Sequence, residues 1–267
     1  MRLSVDHRTT YRFTAPQSRV VQLLRLTPGN SHDQTVASWR IHLDCDVRLR
    51  EGRDGFGNQV TMLYAEGPLS TIEIAMHGEV VTSHSAGVVL GVPEPLAPAV
   101  FLRTTPAAGA DAALADWART IATQGGLGGL HALNAGLHGR FAVERERRGS
   151  VRPATEVAAG DSATPRELAQ LFCAGARAMG VPARFVSGYH LWEIDGEHRP
   201  APHGWAEAFV EGIGWVGFDP TTGMSPEETY IRVAVALDAA GAAPVAGSRL
   251  GVGAEELDVD VSVTREG

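Results

Sequence analysis

His203 and Asp219 are the residues of this 267-residue chain whose types and spacing could do acid–base work. A carboxylate beside an imidazole fixes its tautomer and stabilises the imidazolium, the orienting half of a nucleophile–base–orienter triad. Spacing alone equally fits a plainer account, in which His203 begins an edge strand and Asp219 caps a turn. The nucleophile must come from elsewhere. Of the two cysteines, Cys45 lies between Asp44 and Asp46, whose charges raise a thiol pKa. Cys173 falls in a helical run and reads as a small packing residue. Ser162 and Thr164 are hydroxyl candidates, because a neighbouring histidine can activate Ser or Thr. Thr164, however, is also explained as a helix cap. His190, Glu193, His198 and His203 sit within a short span. Their spacing matches no zinc pattern, so no metal is expected and the histidines read as surface residues of a hairpin loop.

The elements that must position the pair lie between Gly180 and Gly223. Arg184 to Ile194 is a β-branched and aromatic run ending at Asp195-Gly196, a dipeptide that tight hairpins prefer. From His203 to Val210, alternation puts His203, Trp205, Glu207 and Phe209 on one face. A turn at Gly212-Ile213-Gly214 returns the chain through Trp215 to Asp219, about two residues from the register of His203. Upstream, Thr164-Pro165-Arg166-Glu167 is a helix start, with Thr164 as cap, Pro165 at the first helical position and Glu167 completing a capping box. Leu168, Leu171, Phe172, Gly175, Ala176 and Met179 then mark the buried face of that helix. Helices are also expected over 112–123 and 130–137, separated by the glycine run 125–129, which has no Walker lysine. Glu144 to Arg148 reads as a solvated loop face.

Before these, residues 1–86 form an expected all-β, sandwich-like domain. Its six short strands are Leu3–Val5, Thr10–Phe13, Val20–Thr27, Val36–Leu43, Asn58–Tyr64 and Ile72–Thr82. A Pro- and Gly-rich crossing covers 87–111. Residues 112–267 form the core, closed by terminal strands between Tyr230 and Val263.

The motifs Val181-Pro182-Ala183-Arg184, Ser187-Gly188-Tyr189, His203-Gly204-Trp205-Ala206-Glu207 and Gly214-Trp215-Val216-Gly217-Phe218-Asp219-Pro220-Thr221 occur in fixed order. Together they resemble the transglutaminase-like core of the papain-like cysteine-peptidase superfamily. Tyr11-Arg12-Phe13, Arg25-Leu26-Thr27-Pro28 and Asp54-Gly55-Phe56-Gly57-Asn58 resemble the β-rich domain that precedes many bacterial cores of this kind. The resemblance implies an α+β fold with a central helix packed on an antiparallel sheet. It also implies His203 as base and Asp219 as orienter, with Trp205, Tyr189, Gln170 and Glu207 around a ligand. Aligned without gaps from Val181 backwards, the family's cysteine falls on Pro165 and its histidine on Gln170. Cys173 cannot substitute, being about 12 Å further along the helix axis. In the loop 237–245, the family's arginine and tyrosine are replaced by small residues.

Two functions follow. One is a binding protein that has lost its nucleophile and grips a peptide or an amide-bearing ligand. The other is an amide-bond acyl transferase or hydrolase that uses Ser162 or Thr164 with His203 and Asp219. Neither calls for a cofactor. The net charge of −8 gives no basic footprint for nucleic acid. No run approaches a membrane span. Two cysteines and an opening segment without an apolar stretch point to the cytoplasm.

Overall fold

Alternating burial marks much of residues 2–24 and 59–82, and the chain builds each of these stretches into one long strand. The computed structural model describes residues 1–144, 150–194, 197–199 and 202–266. Strands β1 (Arg2–Leu24), β2 (Gln34–Leu43), β3 (Val47–Arg53) and β4 (Gln59–Thr82) are antiparallel, with β4 paired to all three others. The six short strands expected here are thus corrected to four, two of them very long. Pro16 and Pro68 fall where the β1–β4 register shifts around Gln17; at such an irregularity a missing amide hydrogen does little harm. The two halves of the sheet close on each other there. Tyr11, Ile72 and Ile74 pack against Val20, Leu24 and Leu63, making a sandwich-like core from one sheet. The sequence did not announce β3, because its residues are mostly exposed and charged.

The crossing segment is not idle. β5 (Val88–Val89) adds to the edge of the second sheet, and a short 3-10 turn at Pro98–Leu102 buries Phe101. Then come α1 (Ala112–Ile121) and α2 (Gly126–Arg140). The second helix therefore starts inside the glycine run rather than after it, capped by Gly125, a residue tolerated at that position. β6 (Ala142–Val143), α3 (Ala154–Ala158), β7 (Ser162–Ala163) and α4 (Pro165–Ala178) follow, with β6 and β7 parallel. The expected loop at Glu144 to Arg148 lies, beyond Glu144, outside the described residues. The second sheet comprises β8 (Ala183–His190), β11 (Pro202–Val210), β12 (Gly214–Phe218) and β13 (Tyr230–Ala236). Its order is β13-β8-β11-β12-β5, and the hairpin β9 (Trp192–Ile194) and β10 (Glu197–Arg199) projects from it. Helix α4 lies across this sheet, with Leu168, Phe172 and Ala176 meeting Phe185, Ala206 and Phe218 in one buried cluster.

The last two strands overturn an expectation. Only β13 closes the core sheet. β14 (Val245–Leu250) and β15 (Glu255–Arg265) return to the N-terminal sheet, pairing β1 from Arg19↔Leu250 to Leu24↔Val245 and from Leu3↔Arg265 to Phe13↔Glu255. Two forces explain this. The side of β1 away from β4 is an open row of backbone donors and acceptors that needs a partner. The alternation of β15 also puts Val261 and Val263 beside Leu3 and Val5, against Tyr189 and Ile231 of the core sheet. The two sheets are therefore packed face to face through a shared apolar layer. Among the described residues, no helix is long and apolar enough to cross a membrane.

Candidate active site

The β11–β12 hairpin pairs Ala206 with Phe218, which sets Asp219 diagonally across from His203 on the same face. The His203 ring donates from Nε2 to Asp219 Oδ2 at 2.7 Å. Tyr230 donates its hydroxyl to the same oxygen at 2.8 Å, and the Thr221 amide donates to Oδ1 at 2.8 Å. Both members of the pair are buried, His203 at 2% and Asp219 at 0% exposure. Burial alone would raise the Asp219 pKa. The charge of His203 and the three donated hydrogen bonds outweigh it and hold the carboxyl below its usual value. Beneath the imidazole lies Trp205, stacked with ring centroids 6.1 Å apart. That stacking explains Gly188, which pairs with His203 across the strands. A Cβ at Gly188 would sit 2.1 Å from the Ile231 carbonyl and 2.6 Å from the Trp205 ring.

The start of α4 lines the same cavity as the imidazole. Thr164 caps the helix with Pro165 in its first turn. Thr164 Oγ1 accepts from the Glu167 amide, and Glu167 Oε2 accepts from the Thr164 amide at 2.9 Å. Arg152 clamps both Glu167 oxygens from outside. Burial works against the Glu167 charge, but these hydrogen bonds prevail and bring its pKa down to about 2. Two consequences are chemical. Pro165 carries neither a nucleophile nor an N–H, and the neighbouring Thr164 N–H is already used. An oxyanion hole built on these two amides therefore has no donors.

Thr164, Pro165 and His203 line one cavity of about 330 Å³, together with Phe185 and Ser187. The N-terminal sheet supplies its far wall, through His7 and Tyr11 of β1 and Leu257 and Val259 of β15. Ala239, Ala242 and Pro244 of the expected small-residue loop complete it. Ser187 Oγ is buried with no hydrogen-bond partner among the described residues. Ser162 does not line it, but its hydroxyl donates to Glu144, which does. Thr164→Ala is expected to cost about 1 kcal/mol of stability through the lost cap. Chemical denaturation would read this as a lower midpoint.

The four residues expected around a ligand are all buried and engaged. Gln170 donates to the carbonyls of Ala107 and Arg152 and accepts from the Ala239 amide, so it ties loops together. Glu207 joins Arg184 and Arg232 in an ion-pair network. Tyr189 shares a 2.8 Å hydrogen bond with His7 Nδ1, and Trp205 supports His203. Cys173 is fully buried, its thiol pushed up to about 12 by burial, as a packing residue should be. Cys45 is raised too, by partial burial and by Asp44 and Asp46.

The reading of His190 as a surface histidine is corrected. It is buried, stacked on Tyr230 at 3.9 Å and 5.3 Å from the His203 ring. Burial, with His203 adding to it, depresses its pKa to about 3. The side chains of Glu193 and His198 lie outside the described residues. Tyr230 and Arg152, which hold Asp219 and the α4 cap, were missed because each is remote in sequence from what it supports.

Residues 3–81 match the model of the bacterial transglutaminase-like N-terminal region, and residues 115–220 match that of the transglutaminase-like superfamily. An uncharacterised protein of Mycobacterium leprae is 27% identical over 99% of both chains. An uncharacterised protein of Mycobacterium tuberculosis is 28% identical over 98% of this chain and 91% of its own. Among solved structures, a candidate cysteine protease from Cytophaga hutchinsonii is 18% identical. It superposes with a TM-score of 0.77 over 99% of this chain and 90% of its own, a likeness of fold.

Proposed function

Since the chain belongs to the transglutaminase-like superfamily and carries its bacterial N-terminal region, we propose that it is a member that binds peptide or amide-bearing ligands without turning them over. The observation that carries this reading is Pro165 at the start of α4, lining the same cavity as His203. The base and its orienter are kept while the attacking atom and a backbone donor are missing together. Catalysis of acyl transfer needs a nucleophile and charge stabilisation in the same place. Binding needs only a shaped cavity with a few polar points. The buried Ser187 hydroxyl supplies one such point, suited to an amide carbonyl or N–H. Its two free thiols fit a reducing compartment, and we assign the protein to the cytoplasm on that ground.

The second reading, a hydroxyl nucleophile, rests on Thr164, which lines the cavity with His203. One experiment separates the two: turnover of glutamine-containing and simple peptide amides by wild type, His203→Ala and Thr164→Ala, with binding of the same peptides followed by calorimetry. The expected result is binding without turnover in all three. Turnover that disappears in both His203→Ala and Thr164→Ala would establish the hydroxyl mechanism instead.

A further inference from the structure

We propose that His190, His203 and Asp219 form a binding site for a divalent ion of the zinc class. One ligand atom from each residue lies within 4.8 Å of the others, and all three residues are buried. His190 ends β8, His203 stands near the start of β11, and Asp219 follows β12 directly, held by a bridge to Met224, so three adjacent strands bring them together. Sequence spacing hides the group, because only the sheet register brings its members together.

A second observation points to a ligand. His190 is 7% exposed, and its Nδ1 is buried with no hydrogen-bond partner among the described residues. A buried polar atom left unpaired is uncommon, and an unrecorded ion is one of the few explanations for it. The surroundings suit a metal ligand set. Tyr230 and the Thr221 amide hold both oxygens of Asp219, the outer-shell support that fixes a ligating carboxylate. Two imidazoles and one carboxylate favour zinc and similar ions over magnesium or calcium, which prefer all-oxygen shells.

Binding needs the ligand atoms to draw in to metal contacts of about 2.0–2.2 Å. His203 then gives up its Nε2–H bond to Asp219 and ligates through Nε2 as the neutral tautomer, its ring proton carried on Nδ1. The rival account is packing alone, with His190 held between Tyr230 and Trp192 at centroid distances of 3.9 and 4.4 Å.

The test is titration of chelator-treated full-length protein with zinc chloride, followed by calorimetry and tryptophan fluorescence, since Trp192 and Trp205 flank the trio. One equivalent is expected to bind with a Kd below about 1 µM. His190→Gln and Asp219→Asn should each weaken it by about 100-fold while leaving far-UV circular dichroism unchanged. Should either variant fail to fold, zinc-edge X-ray absorption of the wild type decides, with two imidazole nitrogens expected in the first shell. No binding below about 100 µM, or a tight site unaffected by His190→Gln, or a shell without imidazole, overturns the proposal. The peptide-binding reading is tested apart from it, because the amide assays are run with and without chelator. Zinc can be absent while peptides still bind, and zinc can bind while they do not.

Discussion

Pro165→Cys is expected to produce a thiol that iodoacetamide alkylates at neutral pH on the order of 10³-fold faster than either native cysteine. The new side chain would stand at the start of α4, where the amide dipoles favour a thiolate, and would line the cavity that His203 lines. The native thiols are poor competitors. Cys173 is fully buried, with its pKa pushed up to about 12. Cys45 is raised by partial burial and by acidic neighbours. The substitution also restores a backbone N–H at the first helical position, so an amide-turnover assay on the same variant shows whether the rest of the machinery is intact. Mass-spectrometric alkylation kinetics across pH would show an inflection well below that of an ordinary thiol. A rate no higher than that of Cys45 would mean that Pro165 does not face the imidazole.

Glu207→Ala should be the most damaging single change to stability, costing about 3–5 kcal/mol by breaking a buried ion pair. Glu207 is fully buried and bridges Arg184 at 2.6 Å and Arg232 at 2.7 Å. Arg184 in turn stacks over Trp215 at 3.9 Å and reaches Glu94. Removing the carboxylate leaves a buried guanidinium facing its remaining partner Glu94 alone, in the middle of the core sheet. Thermal unfolding should fall by on the order of 10 °C. The exposed pair Arg2–Glu79 is the control, and Glu79→Ala should change stability by less than about 1 kcal/mol.

The same network predicts the acid limb. Burial disfavours the Glu207 charge, but the two arginines prevail and bring its pKa down to about 2 from an ordinary 4.5. A depressed folded-state pKa means that this stabilisation is present in full above about pH 4.5. It is lost as pH falls toward 2, because the unfolded chain takes up the proton first. In Glu207→Ala this part of the acid dependence should disappear, which a series of denaturation midpoints between pH 5 and about 2.5 would read.

What the sequence disclosed was mostly local. The capping box at Thr164, the alternation of β11 and the turn at Gly212 are short-range chemistry, and each formed where its residues indicated. The hairpin register followed from them, and with it the His203–Asp219 contact. Features decided by distant partners stayed hidden. Nothing in the segment 245–265 distinguishes strands that close one sheet from strands that join another, since both demand the same alternation. The choice was made by the open side of β1. His190 shows the same blind spot. A histidine near a turn looks solvated until three strands are placed side by side. Glu207 and Gln170 passed for ligand contacts because polar residues in a motif suggest a site. Their actual partners, Arg184, Arg232 and the loop carbonyls, lie far off in the chain.

The pairing of Leu3 with Arg265 bears on how this protein can be dissected. Cutting within the proline-rich crossing would not release two self-sufficient pieces. An amino-terminal fragment would expose a naked strand edge, and a carboxy-terminal one would carry β14 and β15 with nothing to lie on. The excised core would also lack Tyr11 and His7, and with them one side of the cavity over His203. Any expression strategy that treats the two matched regions as interchangeable modules would therefore be working with halves of a single stitched object.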